Sequence, residues 1–295
     1  MKNINLNFLK SKIINSFYKT IRFKNKVFEI IFLIPFLEKP YPNNPFGKKP
    51  KTDKNNYLRL FRKANQFKNK FVDEFENELG FRINEKWFNQ VCLITQTCIK
   101  NSDLNYNHGR ILYSLLSNYI SKKHEKGLKN LTILETGTAR GFSALCMSKA
   151  INDLNANGKV ITIDCIPHNK KIFWNCITDF EGKKTRKELL SSWPFELGNI
   201  IFIQGWTINT LEKIETDRIN FAFLDAQHTK KSVLEEFFYI NARQKKGDII
   251  FFDDVTPGLF DGVCEAVNEI ENTYNYQIHR LNFDKNRGYA IAKKT

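Results

Sequence analysis

The chain has 295 residues, 42% of them hydrophobic, and a formal net charge of +15. That length and apolar content exclude a disordered chain and suit a full α/β domain with an added segment. Residues 1–130 carry 25 Lys/Arg against 10 Asp/Glu, whereas residues 131–295 carry 21 of each. The basic excess is therefore N-terminal, and the second half is neutral.

Residues 1–38 read as amphipathic, basic and helical. Within them Val27–Leu37 is apolar but holds Glu29 and Pro35. It is too short to span a bilayer, which takes about 20 apolar residues. Two options stay open for residues 1–38: a peripheral membrane contact, or packing on the main domain or on a second subunit in a homo-oligomer. The charge without an RNA-binding motif or zinc spacing gives no expectation of a nucleic-acid partner. Residues 39–56 are rich in Pro, Asn and Lys and read as a linker. Apolar residues at three- and four-residue spacing predict a helix over 57–80 ended by Gly80, then helices over 84–100 and 108–124. The expected division is 1–56 extension and linker, 57–130 helical lid or substrate region, and 131–295 the catalytic-looking domain. Six scattered cysteines without a CxxC pair read as reduced thiols in a cytoplasmic protein.

From Leu131 strand and helix alternate. Strands are expected at 131–135, 159–164, 200–204, 219–225 and 248–253, with helices between them. Such near-continuous apolar strands point to a parallel sheet covered on both faces. The tail differs: Tyr276–Leu281 and Tyr289–Ala292, joined by a short loop, should pair antiparallel.

Three features fall at strand C-termini, where an open α/β sheet binds ligands. The first is LTILETGTARGFS, a buried strand, an acid and a glycine-studded turn opening a helix. Its spacing is neither that of dinucleotide binders nor a P-loop. Glycines let a backbone approach a ligand, and a helix N-terminus points N–H groups at it; a plain packing turn has the same local pattern. The second is Asp164, closing VITID, placed to accept hydrogen bonds from a ribose diol. The third is the pair of strand ends FAFLDAQH and IIFFDD, with Asp225, His228, Asp253 and Asp254. Carboxylates converging at one rim repel and call for a cation, and hard oxygen ligands favour Mg²⁺. The insert 167–198 leaves the same rim. Its Trp174 and Trp193 suit either sugar stacking or packing, and its Lys183, Lys184 and Arg186 suit either an anion or solvent.

Taken in order, ILETGTARGFSAL, VITID, IIFIQGWTINTL, FAFLDAQH and GDIIFFDDVTPG resemble the class I S-adenosylmethionine-dependent methyltransferases, specifically the metal-dependent O-methyltransferases of the catechol kind. The resemblance covers roughly 105–295. It implies a Rossmann-like sheet with a C-terminal antiparallel hairpin and a helical N-terminal extension. It places S-adenosylmethionine on Glu135, Gly137, Thr138, Ala139, Gly141, Phe142, Ser143 and Asp164, with Gly205, Trp206 and Thr207 at the adenine and Asp225 beside the cofactor. Asp225, Asp253 and Asp254 match the metal ligands, for Mg²⁺ or another divalent cation. Asp254 stands where catechol enzymes carry Asn, as in metal-dependent sugar O-methyltransferases. His228 stands where the catechol enzymes carry a catalytic lysine, so His228 or Asp225 is the candidate base. The expected activity is methylation of a hydroxyl on a sugar, glycan or glycosylated metabolite. A phenol methyltransferase and a catalytically silent cofactor-fold protein working through its basic segment are the alternatives.

Overall fold

A computed structural model describes residues 44–65, 69–124, 130–284 and 287–295. The expected helix over 1–38 lies outside the described residues. Residues 41–295 form one compact unit.

Among the described residues four α-helices precede the first strand: α1 Lys54–Asn65, α2 Lys70–Leu79, α3 Glu85–Val91 and α4 Asn107–His124. The single helix expected over 57–80 is two. Asn69 is extended at φ −112° and its side chain accepts from the N–H groups of Phe71 and Val72, so it starts a new helix. Gly80 ends α2 in the left-handed conformation, as its position suggests. The helix expected over 84–100 stops early. After α3 the chain widens into a π turn, Cys92–Gln96, and Thr97 turns extended, its hydroxyl donating to Cys92 O. Residues 97–106 are thereby freed to run along the sheet rim.

The sheet contains β1 Leu131–Thr136, β2 Gly158–Asp164, β3 Ile200–Gln204, β4 Phe221–Leu224, β5 Ile249–Phe252, β6 Tyr276–Asp284 and β7 Arg287–Lys294, in the order β3-β2-β1-β4-β5-β7-β6. The first five are parallel, and β7 runs antiparallel to both β5 and β6. The chain order reverses between β1 and β4, which is where an open α/β sheet leaves a crevice. The hairpin arms are longer than expected. Pairing continues past a bulge to Asp284 opposite Arg287, so residues 282–284 and 287–288, expected in the loop, belong to the strands. That extension carries Arg287 to the ligand-binding rim.

Alternation along the strands divides the core. Ile133, Val160, Phe221, Phe223 and Phe251 face α4 and α5 (Phe142–Asp153). Leu134, Ile163, Ala222, Leu224, Ile250 and Phe252 face α6 (Lys230–Asn241) and α7 (Asp261–Thr273). Helices α2 to α4 share the first of these cores through Val72, Phe88, Val91, Leu112 and Leu116. All six cysteines are free thiols. No helix among the described residues is long and apolar enough to cross a membrane.

Candidate active site

The glycine turn after β1 is held from below and from both sides. Below it, the buried Glu135 carboxylate accepts from the hydroxyls of Ser143 and Thr162. Burial raises its pKa to about 7, against those two bonds. Gly137 has φ 93° and donates to Ile163 O at 2.9 Å. A Cβ there would lie 1.9 Å from Asp225 O, so the neighbouring strand end, rather than a ligand, requires glycine at 137. Ala139 is left-handed at φ 44°, and its N–H donates to Asp164 Oδ2 at 2.6 Å. Gly141, at φ 88°, is the N-cap of α5. Helix α5 thus opens with unpartnered N–H groups where Phe142 and Ser143 line the cavity.

Asp164 closes β2 beside this turn. Its other oxygen accepts from Ile166 N at 2.7 Å, and the Arg186 guanidinium lies 3.9 Å away. Both carboxylate oxygens therefore clamp backbone and keep a further lone pair each for a diol. Gly205 follows β3, its N–H on Asp164 O, and Trp206 caps the short helix Thr207–Leu211. Thr207 sits by Glu236, whose carboxylate also accepts from Thr136 Oγ1 at 2.7 Å. Burial lifts Glu236 to about 8.

The acidic rim forms as β4 and β5 end side by side. Asp225 follows β4 and is partly open to the cavity. Asp253 and Asp254 follow β5 and are buried. Asp254 is left-handed at φ 56° and bonds its own neighbour, N–H to Asp253 Oδ1 at 2.7 Å. Non-glycine residues at positive φ often mark functional sites. Burial and the adjacent carboxylates raise the pKa of Asp225 and raise Asp253 still further. Asp254 goes the other way, held down by His228 and Arg287 despite its burial. His228 Nε2 lies 3.1 Å from Asp254 Oδ2 and 3.9 Å from Asp225 Oδ1. Those two carboxylates raise the imidazole to about 10. As arranged here, His228 is an imidazolium at neutral pH and has no lone pair with which to take a proton.

One cavity joins the turn to the rim. It is lined by Gly137–Arg140, Phe142, Ser143, Asp225 and Asp253, and also by Thr95, Gln96, Lys100, Asn105, His108 and Arg287. The last six are not among the site residues expected from the sequence. Lys100 comes from the segment freed by the π turn, His108 from the start of α4 and Arg287 from the start of β7. Arg287 Nη1 bonds Asp254 Oδ1 at 2.7 Å. His108 is packed edge-on to Phe142 and stacked over Phe223. Burial, with Arg287 and Lys100 close by, lowers its pKa to about 3, so it is neutral. Lys100 and His108 stand at the ends of the helices expected over 84–100 and 108–124, and Arg287 stands in the expected hairpin loop, so the sequence marks them only by position.

The region from β1 to the end of β5 matches a family model described as a methyltransferase domain, over residues 134–255. Residues 134–255 form a methyltransferase domain. Solved structures agree on the fold. The O-methyltransferase TomG from Streptomyces achromogenes, in complex with S-adenosylmethionine, is 15% identical, with a TM-score of 0.51 over 72% of this chain and 92% of that one. Cofactor-bound Rv0187 from MTB is 14% identical, with a TM-score of 0.52 over 71% and 90%. No curated protein matches the chain in sequence. The strand order and terminal hairpin are those of class I, the S-adenosylmethionine-dependent methyltransferases.

In this methyltransferase domain the insert 167–198 packs rather than presents. Ile172 and Lys184 form a two-way backbone bridge, and Trp174 and Trp193 are buried in the main core. Neither indole offers a face for a sugar. The expected cationic cluster is also dispersed: Arg186 is buried, with Nε on Ala139 O at 3.1 Å, and Lys184 pairs with Glu181. Arg186 instead braces the glycine turn through Ala139.

Three rim residues come close enough together that they could hold a divalent cation. Asp225, His228 and Asp254 each offer one ligand atom, and these atoms all lie within 4.8 Å of one another. Two carboxylate oxygens and an imidazole nitrogen suit a borderline or hard divalent ion. The resemblance implies Asp225, Asp253 and Asp254 as ligands, while the atoms brought together are those of Asp225, His228 and Asp254. Asp253 stands beside this group through the Asp254 N–H bond.

Proposed function

We propose that this methyltransferase acts on a hydroxyl oxygen of a sugar, glycan or glycosylated metabolite, with help from a divalent cation. The observation that carries this is the placement of Asp225 and Asp253 in the same cavity as the cofactor turn. When bound, S-adenosylmethionine supplies a methyl group on a sulfonium, and a divalent cation lowers the pKa of a hydroxyl it ligates. The turn Gly137–Ser143 would hold the amino-acid end of the cofactor and Asp164 its ribose. Asp225, Asp254 and His228, with Asp253 adjoining, would hold the cation.

The chain's own residues then have defined tasks. The reaction is an in-line substitution, so orientation matters most. Asp225, fixed at the end of β4, orients the acceptor hydroxyl and takes its proton. His228, protonated in this arrangement, holds Asp225 and Asp254 in place; ligating a cation requires it to lose that proton first. The neutral charge of residues 131–295 favours a small-molecule or glycan acceptor over nucleic acid.

Calorimetry with S-adenosylhomocysteine, then methyl transfer from labelled S-adenosylmethionine to neutral and charged sugars, tests this. Binding in the micromolar range, and turnover abolished by chelator and by Asp225→Asn, are expected. No cofactor binding at millimolar concentration would end the methyltransferase reading. Chelator-resistant turnover would remove the metal from it.

A further inference from the structure

The cavity lining carries positive charge that the reaction described above does not use. Lys100 and Arg287 line the cavity together, and the Lys100 ammonium's pKa is lowered, first by burial and then by the nearby Arg287 charge. They come from distant parts of the chain, the segment after the π turn and the first residue of β7. Arg287 is anchored by one nitrogen to Asp254. Lys100 has no carboxylate at ion-pair distance among the described residues. Two cations converging on a partly dry cavity repel each other, and an anion between them would relieve that repulsion. The third cation on the lining, Arg140, is already engaged: its Nε donates to Trp174 O and its guanidinium lies over the Phe46 ring, 4.4 Å from the centroid.

We infer that Lys100 and Arg287 form a subsite for an anionic group, a carboxylate or phosphate, on the methyl acceptor. The inference rests on the methyltransferase reading and narrows its substrate class to acidic acceptors. Arg287 places the subsite at the acidic rim, because it sits on Asp254, beside the groups that orient the acceptor hydroxyl. Neither cation belongs to the cofactor turn. A guanidinium with nitrogens to spare and a mobile ammonium suit carboxylate and phosphate alike. His108 beside them remains neutral, so it can hydrogen-bond the acceptor without adding a third charge.

The test uses the full chain saturated with S-adenosylhomocysteine. Glucuronate and glucose 6-phosphate serve as charged probes and methyl glucoside as the neutral one, each titrated to millimolar concentration. At least one charged probe should bind about tenfold more tightly than the neutral sugar. Lys100→Met should erase most of that preference and Lys100→Arg restore it, while affinity for S-adenosylhomocysteine changes less than about twofold. If both charged probes behave like methyl glucoside, binding included or absent, the subsite is wrong. If Lys100→Met instead weakens S-adenosylhomocysteine, Lys100 holds the cofactor's own carboxylate and the acceptor assignment is overturned. Failure of wild-type protein to bind S-adenosylhomocysteine would strike the methyltransferase reading itself, a separate result seen before any probe is added.

Discussion

Gly137 shows how a glycine in the turn after β1 can be demanded by the backbone alone. The sequence motif suggests that a side chain there would block the ligand. The structure places its Cβ 1.9 Å from Asp225 O, at φ 93°. Gly137→Ala should therefore cost about 4 kcal/mol or more of stability, since it combines a backbone clash with a strained conformation. Urea denaturation would show it; a variant of native stability that only loses cofactor binding would contradict it. Glu236 offers a second test at this scale. Burial lifts its pKa to about 8 in the folded state, against about 4.5 for an exposed glutamate. The folded state therefore holds a proton that the unfolded state releases above about pH 4.5. Stability from this group is full below that pH and declines as pH rises through 8. Glu236→Gln keeps an acceptor for Thr136 and removes the titration. The fall in stability between pH 5 and 9 should shrink by on the order of 3 kcal/mol. Identical pH profiles for both proteins would mean that Glu236 does not carry this linkage.

At the scale of elements, what was legible and what was not separate cleanly. The five parallel strands and the hairpin announce themselves through unbroken apolar runs, and the rim acids follow because each ends such a run. The N-terminal helices were harder. Asn69 interrupts an apolar periodicity that continues on both sides, so only its capping bonds reveal the break. The π turn at Cys92–Gln96 has no turn residue to mark it, and Lys100 was hidden with it. Asn, Asp and Gly around Arg287 suggest a loop, yet cross-strand pairing with Asp284 draws it into β7. One residue ties these elements together. Asn175, at φ 54°, accepts from Tyr57 OH in α1 and from Ile99 N, and donates to Ile99 O. It joins α1, the insert and the segment bearing Lys100. Asn175→Ala removes all three bonds and strains the backbone, and should cost about 3 kcal/mol. Asn175→Gly relieves the strain and should lose somewhat less. Thermal melts of the two variants, both close to wild type, would show that the clamp is dispensable.

For the whole molecule, the informative cut lies between the two compact units, at Pro40 and Tyr41. The sequence placed the end of the extension at residue 56, but that cut would damage the catalytic unit. It removes Phe46, which lies against Trp174 and over which Arg140 of the cofactor turn is placed. It also enters α1, whose Tyr57 is fully buried. A chain beginning at Tyr41 keeps these contacts and every residue assigned to the cavity. It should fold, melt within a few degrees of the full chain and bind S-adenosylhomocysteine with unchanged affinity. A chain beginning at Tyr57 should lose stability, because the Phe46 contacts and the first turn of α1 go together. The forty residues removed hold eight Lys/Arg against two Asp/Glu, with the apolar run Val27–Leu37 among them. Such a composition favours an anionic lipid surface. Liposome flotation should therefore recover the full chain with anionic vesicles, less of it as salt rises, and leave the Tyr41 chain in solution. Equal flotation of the two would remove the membrane from the function of residues 1–40. Failure of the Tyr41 chain to fold would mean that the unit boundary is not a folding boundary.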